Sequence, residues 1–177
     1  MLTSSAPDPT NSSFTATITF SEDVTGFEMS DFDLGNATAS NFMMVSADEY
    51  TITITPTTDG GVTVLVPENV SHDAASNGNE TSNEYSIEYD ATNPTATMST
   101  MAANPINAPF ILASVFDEDV FDFVMADLVV TNGTSSGFLA TSATNYTVTI
   151  TPTTDGPVFV DIPAGVTEDL ATNPNNA

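Results

Sequence analysis

Apolar and polar residues trade places along one short stretch after another. Tyr50, Ile52 and Ile54 take turns with Thr51, Thr53 and Thr55. The two-residue period returns at Phe14, Ala16, Ile18 and Phe20, at Val62, Val64 and Val66, and at Tyr85, Ile87 and Tyr89. Successive side chains of a strand point to opposite faces, so this period predicts half-buried β-strands. The abundant Thr and Val favour the same backbone. Stretches such as LGNATASN and TPTTDGG punctuate the pattern with turn-forming residues. No segment sustains a helical period.

Strands are predicted in the first half near Leu2–Ser5, at Phe14–Phe20, near 32–36 and 41–45, at Glu49–Thr55 and Val62–Val66, and at Glu84–Tyr89. Seven strands in about 90 residues point to an all-β fold, a sandwich of immunoglobulin or fibronectin type. The Cys and Trp marks of antibody domains are absent, so this expectation rests on strand number and spacing.

The pattern then repeats. YTITITPTTDGGVTV, from Tyr50, returns as YTVTITPTTDGPVFV, from Tyr146, an offset of 96 residues (146 − 50). The same offset pairs Phe14 with Phe110, Phe20 with Phe116, Glu22-Asp23-Val24 with Glu118-Asp119-Val120, Asp73 with Asp169 and Asn77 with Asn173. Roughly two in five aligned positions are identical without a gap. Two tandem domains follow, 1–91 and 92–177, with the boundary at YDATNP, Tyr89 to Pro94. Copy one runs on past Thr81 into SNEYSIEYD, whereas Ala177 is already the partner of Thr81. The second domain thus lacks its last strand within this chain. Either the chain is a window of a longer array, or another chain supplies the strand by strand exchange. Copy two also carries Ser114 where copy one has Ile18, and its FILASVF stretch is apolar on both faces. That strand is expected to be more deeply covered, or shifted in register.

The order FSEDVTGF, YTITITP, DGGVTV, DAASNGN resembles the bacterial Ig-like tandem repeats of large secreted surface proteins and adhesins. The resemblance covers nearly the whole chain. It implies extracellular, cell-surface domains arranged in tandem, often with calcium. Fold by itself carries no activity.

Charge narrows the partners. Asp and Glu number 24 and Lys and Arg 0, for a formal net charge of -24. Phosphate contact relies on Lys and Arg, so no nucleic acid is expected, and anionic membranes and phosphorylated substrates fail alike. Without Lys there is no Schiff base; without Cys there is no thiol nucleophile, disulfide or thiolate metal site. No apolar run reaches bilayer-spanning length, so no direct membrane insertion is expected. The start, MLTSSAPDPT, lacks a basic n-region and apolar core; a secretion signal, if used, is expected outside this chain.

The same acidity suggests a metal site. In a sandwich, the loops after the second, fourth and sixth strands gather at the end where the chain enters. In copy two they carry Glu118 and Asp119, then Thr144 and Asn145, then Glu168, Asp169 and Asn173, while the entering linker brings Asp90 and Asn93. Carboxylates and amides converging without a basic side chain suit Ca²⁺, which takes six to eight oxygens. The candidate site is Asp90, Asp119 and Asp169, helped by Glu118, Asn93 and Asn173; which of Glu118 and Asp119 points inward stays open. Equally, such residues serve as turn formers and solubilisers. YDATNP is also similar to the acidic junctions of calcium-stiffened surface repeats. The copy-one matches, Glu22, Asp23, Asp73 and Asn77, are expected to bind more weakly.

Other chemistry is thin. His72 is the sole histidine and its partner is Glu168, so it reads as an exposed loop residue. The acids lie in loops, without the burial a glycosidase pair needs, and the chain is not expected to be an enzyme. Asn-x-Ser/Thr occurs at Asn11, Asn36, Asn69, Asn79, Asn132 and Asn145, either as chance matches or as glycan acceptors. Phe42, Met43 and Met44 are expected to pack in the core, though an exposed edge is the alternative. The functional expectation is a structural repeat of an extracellular stalk, filament or adhesin, stiffened by calcium at the linker. Its partners are neighbouring repeats of the same protein. The alternative is a module gripping a glycan or protein with its loops, Phe121 and Phe123 being the aromatic candidates.

Overall fold

The computed structural model describes residues 1–177, which divide into two units, Met1–Ala91 and Thr92–Ala177. The first contains β1 (Leu2–Ser4), β2 (Phe14–Thr19), β3 (Asp33–Gly35), β4 (Ala37–Met44), β5 (Glu49–Pro56), β6 (Gly60–Leu65) and β7 (Tyr85–Tyr89). One sheet has the order β1-β2-β5-β4 and the other β3-β6-β7, with antiparallel neighbours throughout. Four strands facing three is the arrangement of an immunoglobulin-like sandwich.

Alternation explains the core. Phe14, Ala16 and Ile18 of β2 and Tyr50, Ile52 and Ile54 of β5 meet Val62 and Val64 of β6 and Ile87 of β7. Phe27, from the loop after β2, packs at 5.1–5.5 Å between ring centroids against Phe20, Phe32, Phe42 and Tyr50. A rigid aromatic plug thus closes the end of the sandwich where the loops gather.

All the strands expected in the first half are present. The fourth starts at Ala37 rather than near residue 41, because a bulge interrupts its pairing between Ser40 and Met43 and Asn41 turns left-handed at φ 50°. An extra residue breaks the two-residue period, hiding the early part of the strand from a pattern reading. The bulge also corrects the expectation for the methionines. Phe42 packs on the core, while Met43 and Met44 are both exposed on this edge strand.

The second unit contains β8 (Ala96–Ser99), β9 (Phe110–Phe116), β10 (Val129–Thr131), β11 (Gly133–Ala140), β12 (Asn145–Pro152) and β13 (Phe159–Asp161). Its sheets run β11-β12-β9-β8 and β10-β13. Left-handed residues pair across the two copies at the 96-residue offset: 26 with 122, 36 with 132, 41 with 137, 60 with 156, 69 with 165 and 76 with 172. The repeat therefore extends to the backbone of each turn.

Strand β9 is neither shifted nor more deeply covered. Ser114 lies opposite Tyr146 as Ile18 lies opposite Tyr50. Ser114 is buried, whereas Ile111 and Val115 are 56% and 41% exposed. A slip of one residue would turn β9's entire inward set to solvent, so pairing with the alternating β12 holds the register.

Candidate metal centre

Three loops of the second unit come together beyond β9, β11 and β13. The N–H of Val120 donates to the Ala143 carbonyl at 3.1 Å, and that of Phe121 to the Glu168 carbonyl at 2.8 Å. The Thr167 hydroxyl donates to the Phe121 carbonyl. Beneath them, the buried Tyr146 hydroxyl donates to the carbonyls of Val120 and Ala143. Burial first, and then the charge of Asp119, raise the Tyr146 phenol above its ordinary value.

The last loop is held by asparagine. The side-chain oxygen of buried Asn175 accepts from the N–H groups of Val166 and Thr167, and its amide donates to the carbonyls of Pro163 and Asn176. Asn79 does the same work in the first copy, accepting from Val70 and Ser71 and donating to Pro67 and Glu80. Sequence analysis passed over Asn175. Its signal was the identity of Asn79 and Asn175 at the repeat offset.

Within that frame Asp169 is only 5% exposed. Asn173 donates to both its carboxylate oxygens, through the backbone N–H and the side-chain amide, each at 2.8 Å. Within the second unit, carboxylate oxygens of Glu118 and Asp169 lie within 4.8 Å of one another. Asp119, next in the chain to Glu118, is exposed, and Asp90 belongs to the first unit. Asn173 positions Asp169, and the Asn93 carbonyl accepts from the side-chain amide of Asn176. In the first copy, Glu22 and Asp23 are exposed. Asp73 there is held by Asn77, whose side-chain and backbone hydrogen bonds lower its carboxyl below the ordinary value, with smaller help from Ala75 and His72.

Two carboxylates at such range repel by about 3 kcal/mol at an effective dielectric of 20, before solvent screening reduces it. No Lys or Arg exists to offset this. A divalent cation would, and the donor set is oxygen alone, as a hard ion prefers. Calcium's remaining ligands would be carbonyls, amide oxygens and water.

Other candidates resolve differently. His72 is exposed, and its backbone pairs with Thr25. Phe123 is buried against Phe116 and Tyr146, leaving Phe121 as the exposed member of the pair. The amide nitrogens of Asn36, Asn79, Asn132 and Asn145, to which a glycan would attach, all donate to internal partners. No helix is long and apolar enough to cross a membrane.

The model of the bacterial Ig-like domain family matches the chain twice, over residues 3–89 and 90–177. Together the matches span nearly all of it, and the chain belongs to that family. The second match begins at Asp90, and Glu118 and Asp169 fall within it. No curated protein matches the chain.

Proposed function

We propose, from this membership of the bacterial Ig-like family, that the chain is a structural repeat module of an extracellular surface stalk, filament or adhesin, stiffened by calcium at its linker. Domains of this family are generally structural or adhesive rather than catalytic, which supports the module reading. The observation that carries the calcium reading is the approach of the Glu118 and Asp169 carboxylates in a chain without Lys or Arg. Bound Ca²⁺ would draw the linker residue Asp90 onto two loops, remove their repulsion and restrain the joint between repeats. The module would then act mechanically, holding whatever it carries away from the cell.

Calorimetry on the chelator-treated chain tests this reading. Saturable Ca²⁺ binding at millimolar concentration or below is expected, with a raised melting temperature and a narrower distribution of small-angle scattering distances. The double variant Glu118→Gln, Asp169→Asn should lose all three responses. Absence of both heat and melting shift in the native chain removes calcium and leaves a plain structural repeat. A requirement for molar monovalent salt would instead mark acidity as an adaptation to high salt.

A further inference from the structure

We propose that Asn77 is a site of spontaneous deamidation in the folded chain, whereas its counterpart Asn173 and the other Asn-Gly asparagine, Asn132, are spared. The inference goes beyond the function proposed above and does not rest on calcium.

Asn77-Gly78 and Asn132-Gly133 are the two Asn-Gly pairs of the chain. Glycine has no Cβ to shield its backbone nitrogen from the side chain before it. In the reaction the Gly78 nitrogen attacks Asn77 Cγ. The N–Cγ bond forms, the Cγ–Nδ2 bond breaks, and the amide group leaves as ammonia with the proton of the Gly78 N–H. Water then opens the succinimide ring. Opening at Cγ gives aspartate; opening at the Asn77 backbone carbonyl gives isoaspartate, with the main chain routed through the side chain.

The fold leaves the attacking nitrogen outside the hydrogen-bond ladder. Asp73 donates to the Asn77 carbonyl and Asn79 to the Ser71 carbonyl, each at 3.0 Å, and these bonds flank the His72–Gly78 pair. A residue between such bonds turns its own N–H away from the ladder. Asn77 is exposed, and its amide donates one hydrogen bond, to an Asp73 carboxylate oxygen at 2.7 Å. That bond must open for Cγ to swing toward Gly78. Asn132 is half-buried, and its side chain makes five hydrogen bonds, to Thr153, Thr154 and Pro157. All five hold its Cγ away from Gly133.

The second copy closes the route. Asn173 is buried and is followed by Pro174, whose ring nitrogen carries no N–H. A second exchange accompanies this one. A Cβ on Gly78 would overlap the Asn69 side-chain oxygen and lie 3.2 Å from Asn69 Cα, whereas the counterpart of Asn69 is Gly165. Asn69 and Gly165 share left-handed geometry, φ 62° and 72°, and donate alike to the Asn79 and Asn175 carbonyls. Asn69 with Gly78, and Gly165 with Pro174, thus fill one space in two ways, and the first leaves a reactive pair. Its product loosens the loop. Aspartate at 77 offers Asp73 a second negative charge in place of a donor, and isoaspartate lengthens the main chain.

The test incubates the whole chain, folded and urea-unfolded, in mildly alkaline buffer. A glutamate-specific protease then releases residues 69–80, and mass spectrometry reads aspartate and isoaspartate at each asparagine. Folding should slow Asn132 at least about tenfold more than Asn77, since each further hydrogen bond that must open slows the attack severalfold. Asn173 should stay intact. The deamidated chain should show faster amide exchange across 71–79 and unchanged exchange in the second unit. The variant Asn69→Gly, Gly78→Pro, which gives the first copy the second copy's pair, should end the reaction at Asn77. Equal protection of Asn77 and Asn132 by folding overturns the proposal, as does unchanged exchange across 71–79 or reaction at Asn77 in the double variant. Should that variant not fold, the comparison within the native chain decides. Each outcome leaves the repeat-module and calcium readings intact, because they rest on the family match and on acids of the second unit.

Discussion

Asn173 donates twice to Asp169, one hydrogen bond to each carboxylate oxygen, and both residues are buried. Asn173→Ala keeps the backbone donor and removes the amide, leaving a buried charged acceptor short of one partner. The expected loss is about 1–3 kcal/mol of second-unit stability. Urea denaturation measures it. The more exposed pair Asp73 and Asn77 provides the comparison, and Asn77→Ala should cost less.

Alkaline titration should reveal the buried phenols. Burial, and then the nearby acids, raise Tyr50 and Tyr146 above the ordinary tyrosine value. The folded state therefore holds these protons longer than the unfolded state. Their contribution to stability is complete below about pH 10 and is lost as pH rises through the raised folded values. Tyrosinate absorbance should show a late phase that disappears in the Tyr50→Phe, Tyr146→Phe variant.

Acid acts in the opposite sense on Asp73. Its folded carboxyl titrates below its ordinary value because Asn77 donates to it. The stabilisation it gives is present above about pH 4 and is lost as pH falls through the lowered folded value. Asp73→Asn should flatten the acid limb of first-unit stability, and carboxyl NMR shifts follow the titration directly.

Substitutions along β9 separate its faces. Leu112 is buried and Ile111 largely exposed, so Leu112→Ala should cost about 2–5 kcal/mol. Ile111→Thr should stay within about 0.5 kcal/mol of the parent. Equal losses at the two sites would contradict the register with β12.

Turn chemistry is testable at Asn132. It sits at φ 57°, its side-chain oxygen accepts from Thr153 and Thr154, and its amide donates to the Thr154 and Pro157 carbonyls. Asn132→Gly keeps the backbone and loses the bonds. Asn132→Ala loses both and should be less stable than the Gly variant by about 1–2 kcal/mol, the cost of a Cβ in left-handed geometry. Thermal melts of the two variants decide the difference.

The strands of the first copy and the presence of a repeat were legible along the chain, because a two-residue period and a 96-residue offset are local or self-referential signals. That Glu118 rather than the exposed Asp119 approaches Asp169 was not legible. Neighbouring residues of a loop point in directions set by its hydrogen bonds, here those tying Val120 to Ala143 and Phe121 to Glu168. The outward turn of both Met43 and Met44 was hidden likewise, since a bulge resets the period without changing residue type.

By itself, then, the sequence determined an all-β repeat, its acidity and the chemistry it must do without, since periodicity and residue inventory need no third dimension. Tertiary structure alone decided which acids meet and which methionines face solvent. Those outcomes depend on side-chain direction and on contacts between segments far apart in the chain, and no local pattern encodes either.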